Sequence, residues 1–287
     1  MQIGVTFPQT EIGGDRGAVR AYAEAVEGAG YAHLLVYDHV LGADRAGHPG
    51  FDGPYDLHST FHEPMVLFGF LAGISSLELV TGVVILPQRQ TVLVAKQAAE
   101  VDLLTGGRFR FGVGLGWNAV EYEALGARFS GRGRRIEEQV ALLRRLWTEP
   151  SVTFEGRDHR VTAAGLAPMP IQQPIPIWMG GHSEAALRRV GRMADGWVAS
   201  VPPRHGLEAA LEHIRSGAED AGRRPDQVGL EGRIDLLPDG VERAVRHADH
   251  WRDAGATHLS VNTMGSQRTS VDRHIADLVE LAPALGL

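Results

Sequence analysis

The sequence predicts an α/β fold: a (β/α)8 TIM barrel forming one domain over residues 1–287, with an insertion before the fifth strand. Three observations predict it. Strand-like and helix-like segments alternate along the whole chain and come out at eight of each. The strand candidates are runs rich in Val, Ile and Leu, the pattern of parallel strands buried on both faces. The length of 287 residues suits a barrel of about 250 residues with room for an insertion.

Taken in order, residues 3–7 form an apolar run, and an amphipathic window follows at 17–28. Ala29-Gly30 reads as a helix end with its glycine cap, leading into a strand at 33–37. A helix at 64–75, a strand at 77–86, a helix at 92–104, a strand at 109–115 and a helix at 134–147 continue the alternation. The fifth strand, 175–179, runs into Gly180-Gly181, and Ser183 opens a helix over 183–192. Strands at 196–200, 227–236 and 258–262 alternate with helices at 207–222, 240–254 and 270–281. Ala254-Gly255 before His258 repeats the pattern of Ala29-Gly30 before His33, as expected of a repeated βα unit.

Two segments exceed that unit. Residues 42–61 are rich in Gly, Pro, Asp and His, and residues 151–174 contain a candidate small hairpin at 152–156 and 160–162. Long loops at a barrel rim shape binding sites, so both are expected to wall a substrate pocket together with the loop around Trp117.

Composition narrows the function. Apolar residues make up 44% and charged residues 22%, an ordinary soluble balance. The absence of cysteine excludes disulfides, thiolate metal sites and a cysteine nucleophile. A net charge of −7 without a basic block argues against nucleic-acid and anionic-membrane partners. No apolar run is long enough to span a bilayer, and no charged leader precedes the first strand, so a cytoplasmic location is expected. Lys96 is the only lysine, which with the high Ala and Gly content reads as a high-GC genome.

The chemistry of such a barrel sits at the carboxyl ends of its strands. There the chain places Tyr37-Asp38-His39, then Gly112-Val113-Gly114-Leu115-Gly116-Trp117-Asn118, then Trp178-Met179-Gly180-Gly181 and Asn262-Thr263-Met264-Gly265. His39 is the candidate for proton handling, because imidazole titrates near neutrality. Asp38 is a candidate acceptor beside it. The Gly-x-Gly-x-Gly-Trp run lets a flat ligand approach the backbone, with Trp117 as an apolar wall; its position on the fourth strand separates it from a dinucleotide fingerprint. Gly180, Gly181 and Ser183, at a helix N-terminus, offer backbone amides and a hydroxyl to a phosphate. His48, His58, His62, Glu63 and Asp56 cluster in the second loop and leave a metal-dependent hydrolase as a distant alternative, without an H-x-H or H-E-x-x-H motif. No G-x-S-x-G elbow is present.

In combination these residues resemble the bacterial luciferase-like monooxygenase superfamily, and within it the coenzyme F420-dependent branch. The matching pieces are Tyr37-Asp38-His39-Val40, Leu79-Val80-Thr81-Gly82-Val83-Val84-Ile85-Leu86-Pro87, Ala95-Lys96-Gln97 and Leu103-Leu104-Thr105-Gly106-Gly107-Arg108-Phe109. Gly112-Val113-Gly114-Leu115-Gly116-Trp117, Pro176-Ile177-Trp178-Met179-Gly180-Gly181 and Ala194-Asp195-Gly196-Trp197 follow in family order. The resemblance implies a flavin or deazaflavin across the barrel mouth, its phosphate at Gly180, Gly181 and Ser183. It also implies a non-prolyl cis peptide behind the ring at Gly82–Val83, and contacts from Asp38 and His39 that assist proton transfer. Trp117 departs from those deazaflavin dehydrogenases that carry a proton-donating glutamate there, which disfavours a sugar-phosphate dehydrogenase. Glu121 reads as a helix-start residue or rim partner.

The function expected is hydride transfer between coenzyme F420 and a small organic substrate, with His39 as proton source and Asp38 as its orienting acceptor. FMN with molecular oxygen is the alternative and would require a flavin reductase partner; a cofactor-binding protein without chemistry would lack the Asp38-His39 pair. The resemblance further implies a homodimer.

Overall fold

The computed structural model describes residues 1–199, 206–236, 240–265, 268 and 270–287. Its strands are β1 (Gln2–Thr6), β2 (His33–Val36), β3 (Glu78–Thr81), β4 (Val84–Ile85), β5 (Phe109–Gly114), β6 (Val152–Glu155), β7 (Arg160–Ala164), β8 (Ile177–Gly180), β9 (Gly196–Val198), β10 (Gly229–Asp235) and β11 (His258–Asn262). All except β6 and β7 form one parallel sheet in the order β3-β2-β1-β11-β10-β9-β8-β5-β4, and an additional β3–β5 pairing closes it into a barrel. Closure is visible in the register of β1, where Val5 stands opposite Val261 on one side and Leu34 on the other.

The third barrel strand is split. Val80 pairs with Arg110 and Val84 with Val113, so residues 81–83 stand opposite only residues 111–112. That extra residue is a bulge, the device by which a strand re-aims a side chain at a barrel rim. The Gly82–Val83 peptide bond within it is cis, at the bond the resemblance singled out.

The helices are α1 (Gln9–Ile12), α2 (Arg16–Gly28), α3 (Pro64–Leu71), α4 (Thr91–Thr105), α5 (Ala119–Ala124), α6 (Arg132–Thr148), α7 (Glu184–Met193), α8 (Leu207–Asp220), α9 (Val241–Asp253) and α10 (Val271–Leu285). Eight of them answer the expected helices; α1 and α5 are short additions in the loops after β1 and β5. Capping explains several starts: Asp15 accepts from Gly17 N–H, Asn118 from Val120 and Glu121 N–H, and Ser183 from Ala186 N–H. The strand expected at 227–236 begins at Gly229 because Pro225–Gln227 form a 3-10 turn. The strand expected at 196–200 is seen as far as Val198, and Ser200 lies outside the described residues.

Strand side chains such as Leu34, Leu79, Phe111, Ile177 and Leu259 are fully or almost fully buried, as are Val26, Phe68, Leu143, Val190 and Leu278 on the surrounding helices. Each such residue contributes about 1.5–3 kcal/mol of burial free energy. Charge is buried too. Glu231 Oε2 accepts from Arg110 Nη1 at 2.6 Å, and its Oε1 accepts from Ser260 Oγ at 2.6 Å and lies 3.0 Å from His33 Nε2. Arg110 reaches on to Glu78 and stacks over Trp178 at 4.5 Å. No helix of the described residues is long and apolar enough to cross a membrane.

Candidate active site

A cavity of about 650 Å3 opens at the carboxyl ends of the barrel strands. Every residue that the sequence singled out for catalysis or cofactor binding lines it: Asp38 and His39 after β2, Gly82 and Val83 in the bulge, Gly116 and Trp117 after β5, and Gly180, Gly181 and Ser183 between β8 and α7.

The bulge turns Val83 toward the neighbouring strand ends, which must be small to receive it. A Cβ at Gly114 would stand 2.6 Å from the Val83 side chain, and one at Gly180 3.3 Å from it. Gly181 has φ 146°, and a Cβ there would lie 2.7 Å from that of Ala186. The carbonyl of Gly181 accepts from Trp197 Nε1 at 3.0 Å, so the backbone is fixed as it enters α7. Ser183 accepts from Ala186 N–H at 3.3 Å, which leaves its own O–H free to donate. Its hydroxyl, the first-turn amides and the helix dipole form a donor set suited to a phosphate, while Val83, Gly116 and Trp117 border a space suited to a flat ring. The residues present therefore fit a flavin-type cofactor.

Asp38 is 3% exposed, and both its oxygens are committed. Oδ2 accepts from Ile85 N–H at 3.0 Å, and Oδ1 accepts from Arg89 Nη2 at 2.7 Å. Burial pushes this carboxyl up, against the pull of Arg89 and the Ile85 N–H. Asp38 thus ties the loop after β2 to β4 behind the bulge. The carboxylate seen facing His39 among the described residues is a different one.

That carboxylate is Glu121, at the third position of α5 and 1% exposed. Its Oε1 accepts from the N–H groups of Val40 and Leu41, and its Oε2 lies 3.6 Å from His39 Nδ1. Gln88 Nε2 is 3.4 Å from the same oxygen. Burial pushes Glu121 up, but His39, the Val40 N–H and Gln88 outweigh it and hold it below its ordinary value. The His39 ring is enclosed by Phe61 at 4.6 Å, Tyr55 at 5.3 Å and Trp117 at 5.5 Å. Trp117 remains 41% exposed and lies so close to Gly53 that a Cβ there would be 2.1 Å from its ring.

Of residues 42–61, Tyr55 lines the cavity, while Phe61 packs on His39 and Gly53 on Trp117; Arg45 stitches the segment by pairing with Asp56 at 2.6 Å and donating to Gly53 O at 2.8 Å. The insertion, also expected as a wall, does not reach the cavity. None of residues 151–174 lines the cavity; β6 and β7 form the expected hairpin, but the segment packs outside the barrel. Asp102 of α4 accepts from Ile171 and Gln172 N–H at 2.6 and 2.9 Å, and Glu138 of α6 pairs with His159 at 2.6 Å. Among the described residues no three His, Asp or Glu side chains are grouped to hold a metal. Glu63 instead caps α3 and pairs with Arg89 at 3.0 Å.

Glu121, Arg89 and Glu231 are the site residues that the sequence did not assign. Asn118-x-x-Glu121 has the spacing of a helix N-terminal box, a signal that explains Glu121 locally and hides its reach to the loop after β2. Arg89 and Glu231 carry no motif; only the closed barrel brings them to Asp38 and Arg110.

Comparison with known proteins agrees with this geometry. The family model for luciferase-like monooxygenases matches residues 1–273. An uncharacterised protein of Mycobacterium tuberculosis is 31% identical over 268 residues, 89% of this chain and 90% of its own. An F420-dependent glucose-6-phosphate dehydrogenase of Nakamurella multipartita is 33% identical over 165 residues, 55% of this chain and 48% of its own. An FMNH2-dependent dimethylsulfone monooxygenase of Pseudomonas putida is 35% identical over 134 residues, 45% of this chain and 37% of its own. Among solved structures, an F420-dependent secondary alcohol dehydrogenase superposes with a TM-score of 0.80 over 99% of this chain and 98% of its own, at 19% identity. With the barrel, the bulged third strand and the cavity in place, the chain belongs to the luciferase-like monooxygenase family.

Proposed function

We propose that this chain is a coenzyme F420-dependent oxidoreductase that transfers hydride to or from a small organic substrate. The observation that carries the proposal is His39: its ring lines the cavity, and the buried carboxylate of Glu121 faces its Nδ1. When bound, the deazaflavin supplies a carbon centre that gives or accepts hydride. Gly180, Gly181, Ser183 and the first amides of α7 hold its phosphate, and Gly82, Val83, Gly116 and Trp117 border its ring. With a proton on Nδ1 directed to Glu121, Nε2 of His39 is the atom that exchanges a proton with the substrate oxygen. Tyr55, Phe61 and Trp117 exclude water around that exchange. Similarity to F420-dependent proteins supports the choice of cofactor.

A second reading keeps the same site and takes reduced FMN with oxygen, supported by the similarity to the Pseudomonas putida enzyme. Titration of the purified chain with coenzyme F420 and with FMN, each oxidised and reduced, separates the two. Tight binding of F420 alone is the expected result. Preference for FMN selects the monooxygenase and a reductase partner, and binding of neither removes the redox reading.

A further inference from the structure

A second cavity, of about 480 Å3, lies beside the first, between Gln88–Gln90, the segment entering α6 and the tip of the β6–β7 hairpin. We propose that it is a binding site for a small polyanion, one that carries two or more phosphate or carboxylate groups. This proposal is independent of the cofactor reading above.

Its lining is dominated by guanidinium groups. Arg128, Arg134, Arg135 and Arg157 all face it, and none of them makes an ion pair among the described residues. Arg135 donates to the carbonyl of Pro87 at 3.1 Å, a neutral acceptor that leaves its charge uncompensated. Arg89 also borders the cavity, but its guanidinium is spent on Asp38 and Glu63. Among the described residues, the only carboxylate in the lining is Asp158.

The acids that could have neutralised these arginines are committed elsewhere. Glu137 holds Arg189 and Arg192, Glu138 accepts from the Arg157 and Asp158 N–H groups and pairs with His159, and Glu121 faces His39. The chain as a whole carries a net charge of −7, so this concentration of positive charge runs against its composition.

Its location sharpens the argument. Arg132, Arg134 and Arg135 occupy the first turn of the 17-residue α6, which has no acidic residue there and no side-chain cap. Cations at a helix N-terminus oppose the helix dipole, and like charges crowded together repel. An anion in the cavity reverses both terms. Guanidinium groups also match the planar, bidentate geometry of phosphate and carboxylate. A volume of about 480 Å3 exceeds what a single inorganic ion fills and falls in the range of small-molecule sites.

The test is calorimetric titration of the full chain at low salt with inorganic pyrophosphate, and separately with citrate, to distinguish phosphate from carboxylate chemistry. Saturable 1:1 binding of at least one probe is expected. The double variant Arg128→Ala/Arg134→Ala, whose side chains hold no other element in place, is expected to weaken it at least tenfold while circular dichroism is unchanged. Ser183→Asp repels anions from the α7 terminus and is expected to leave that binding intact. Failure of both probes to saturate overturns the proposal, as does binding that survives the double variant or disappears in Ser183→Asp.

Discussion

In the proposed reaction His39 and Glu121 divide between them what proton transfer needs. The ring lines the cavity, and the buried carboxylate of Glu121 faces its Nδ1 at 3.6 Å. Replacing His39 with Ala removes the proposed exchanging atom while leaving Gly180, Gly181 and Ser183 untouched. Turnover is expected to fall about 10²–10⁴-fold with little change in cofactor affinity; an unchanged rate eliminates His39 from the mechanism. Glu121→Gln is the subtler variant. The amide oxygen still accepts from Val40 and Leu41, so the melting temperature should barely move. The amide N–H groups turned to Nδ1 then favour the opposite tautomer, and the expected result is at least a 10-fold loss of kcat. A large fall in melting temperature with unaltered kcat would reduce Glu121 to a loop anchor. Asp38, buried behind the bulge, has its two oxygens engaged by Ile85 and Arg89 rather than by His39.

The elements proposed to hold the cofactor phosphate are β8 and α7, and at their junction the expected strand end, glycine pair and Ser183 cap are all found. Gly180-Gly181-x-Ser183 was readable because its physics is local: a strand end, a backbone conformation at φ 146° that side chains rarely adopt, and a cap. The bulge of the third strand was readable only through family resemblance. Its apolar run 77–86 shows no break, and the extra residue is visible only against the partner strand β5. The insertion was misplaced because a hairpin's own residues do not encode which face it packs on; that is decided by Asp102 and Glu138 on distant helices. Two substitutions follow from the junction. Ser183→Ala removes the cap and the donating hydroxyl, costing about 1 kcal/mol of stability. It should also weaken cofactor binding by about 1–3 kcal/mol, the range of a hydrogen bond to a charged group. Gly181→Val forces a Cβ against Ala186 and should abolish cofactor binding while the barrel still melts cooperatively. Unaltered affinity in both variants would place the phosphate elsewhere.

For the molecule as a whole, acid sensitivity should originate inside the barrel. Glu231, Arg110, His33 and Ser260 form a network that joins β10, β5, β2 and β11 across the barrel interior. Burial pushes the Glu231 carboxyl up, but Arg110 and His33 overcome it and hold it far below its ordinary value. His258 lies edge-on to Trp178 at 4.9 Å; burial, with Arg110 nearby, lowers its ring to about 3. In both groups the folded pKa lies below the unfolded one, so the unfolded chain binds more protons and stability falls as pH falls. The His258 contribution is complete above its unfolded value of 6.5 and is lost progressively toward about 3. That of Glu231 is lost only below the ordinary carboxylate range. Melting temperature should therefore decline from about pH 6.5 downward and steeply below about pH 4. His258→Gln should flatten the upper part of that decline and leave the lower part. Glu231→Gln strands Arg110 in the interior and should cost about 3–5 kcal/mol at neutral pH, the penalty of removing one partner from a buried pair. Because Glu231 and Ser260 also line the active-site cavity, the same variant should loosen its floor and weaken cofactor binding. A melting temperature independent of pH between 7 and 4, or a Glu231→Gln protein as stable as its parent, would show that the interior charges are not what holds the barrel closed.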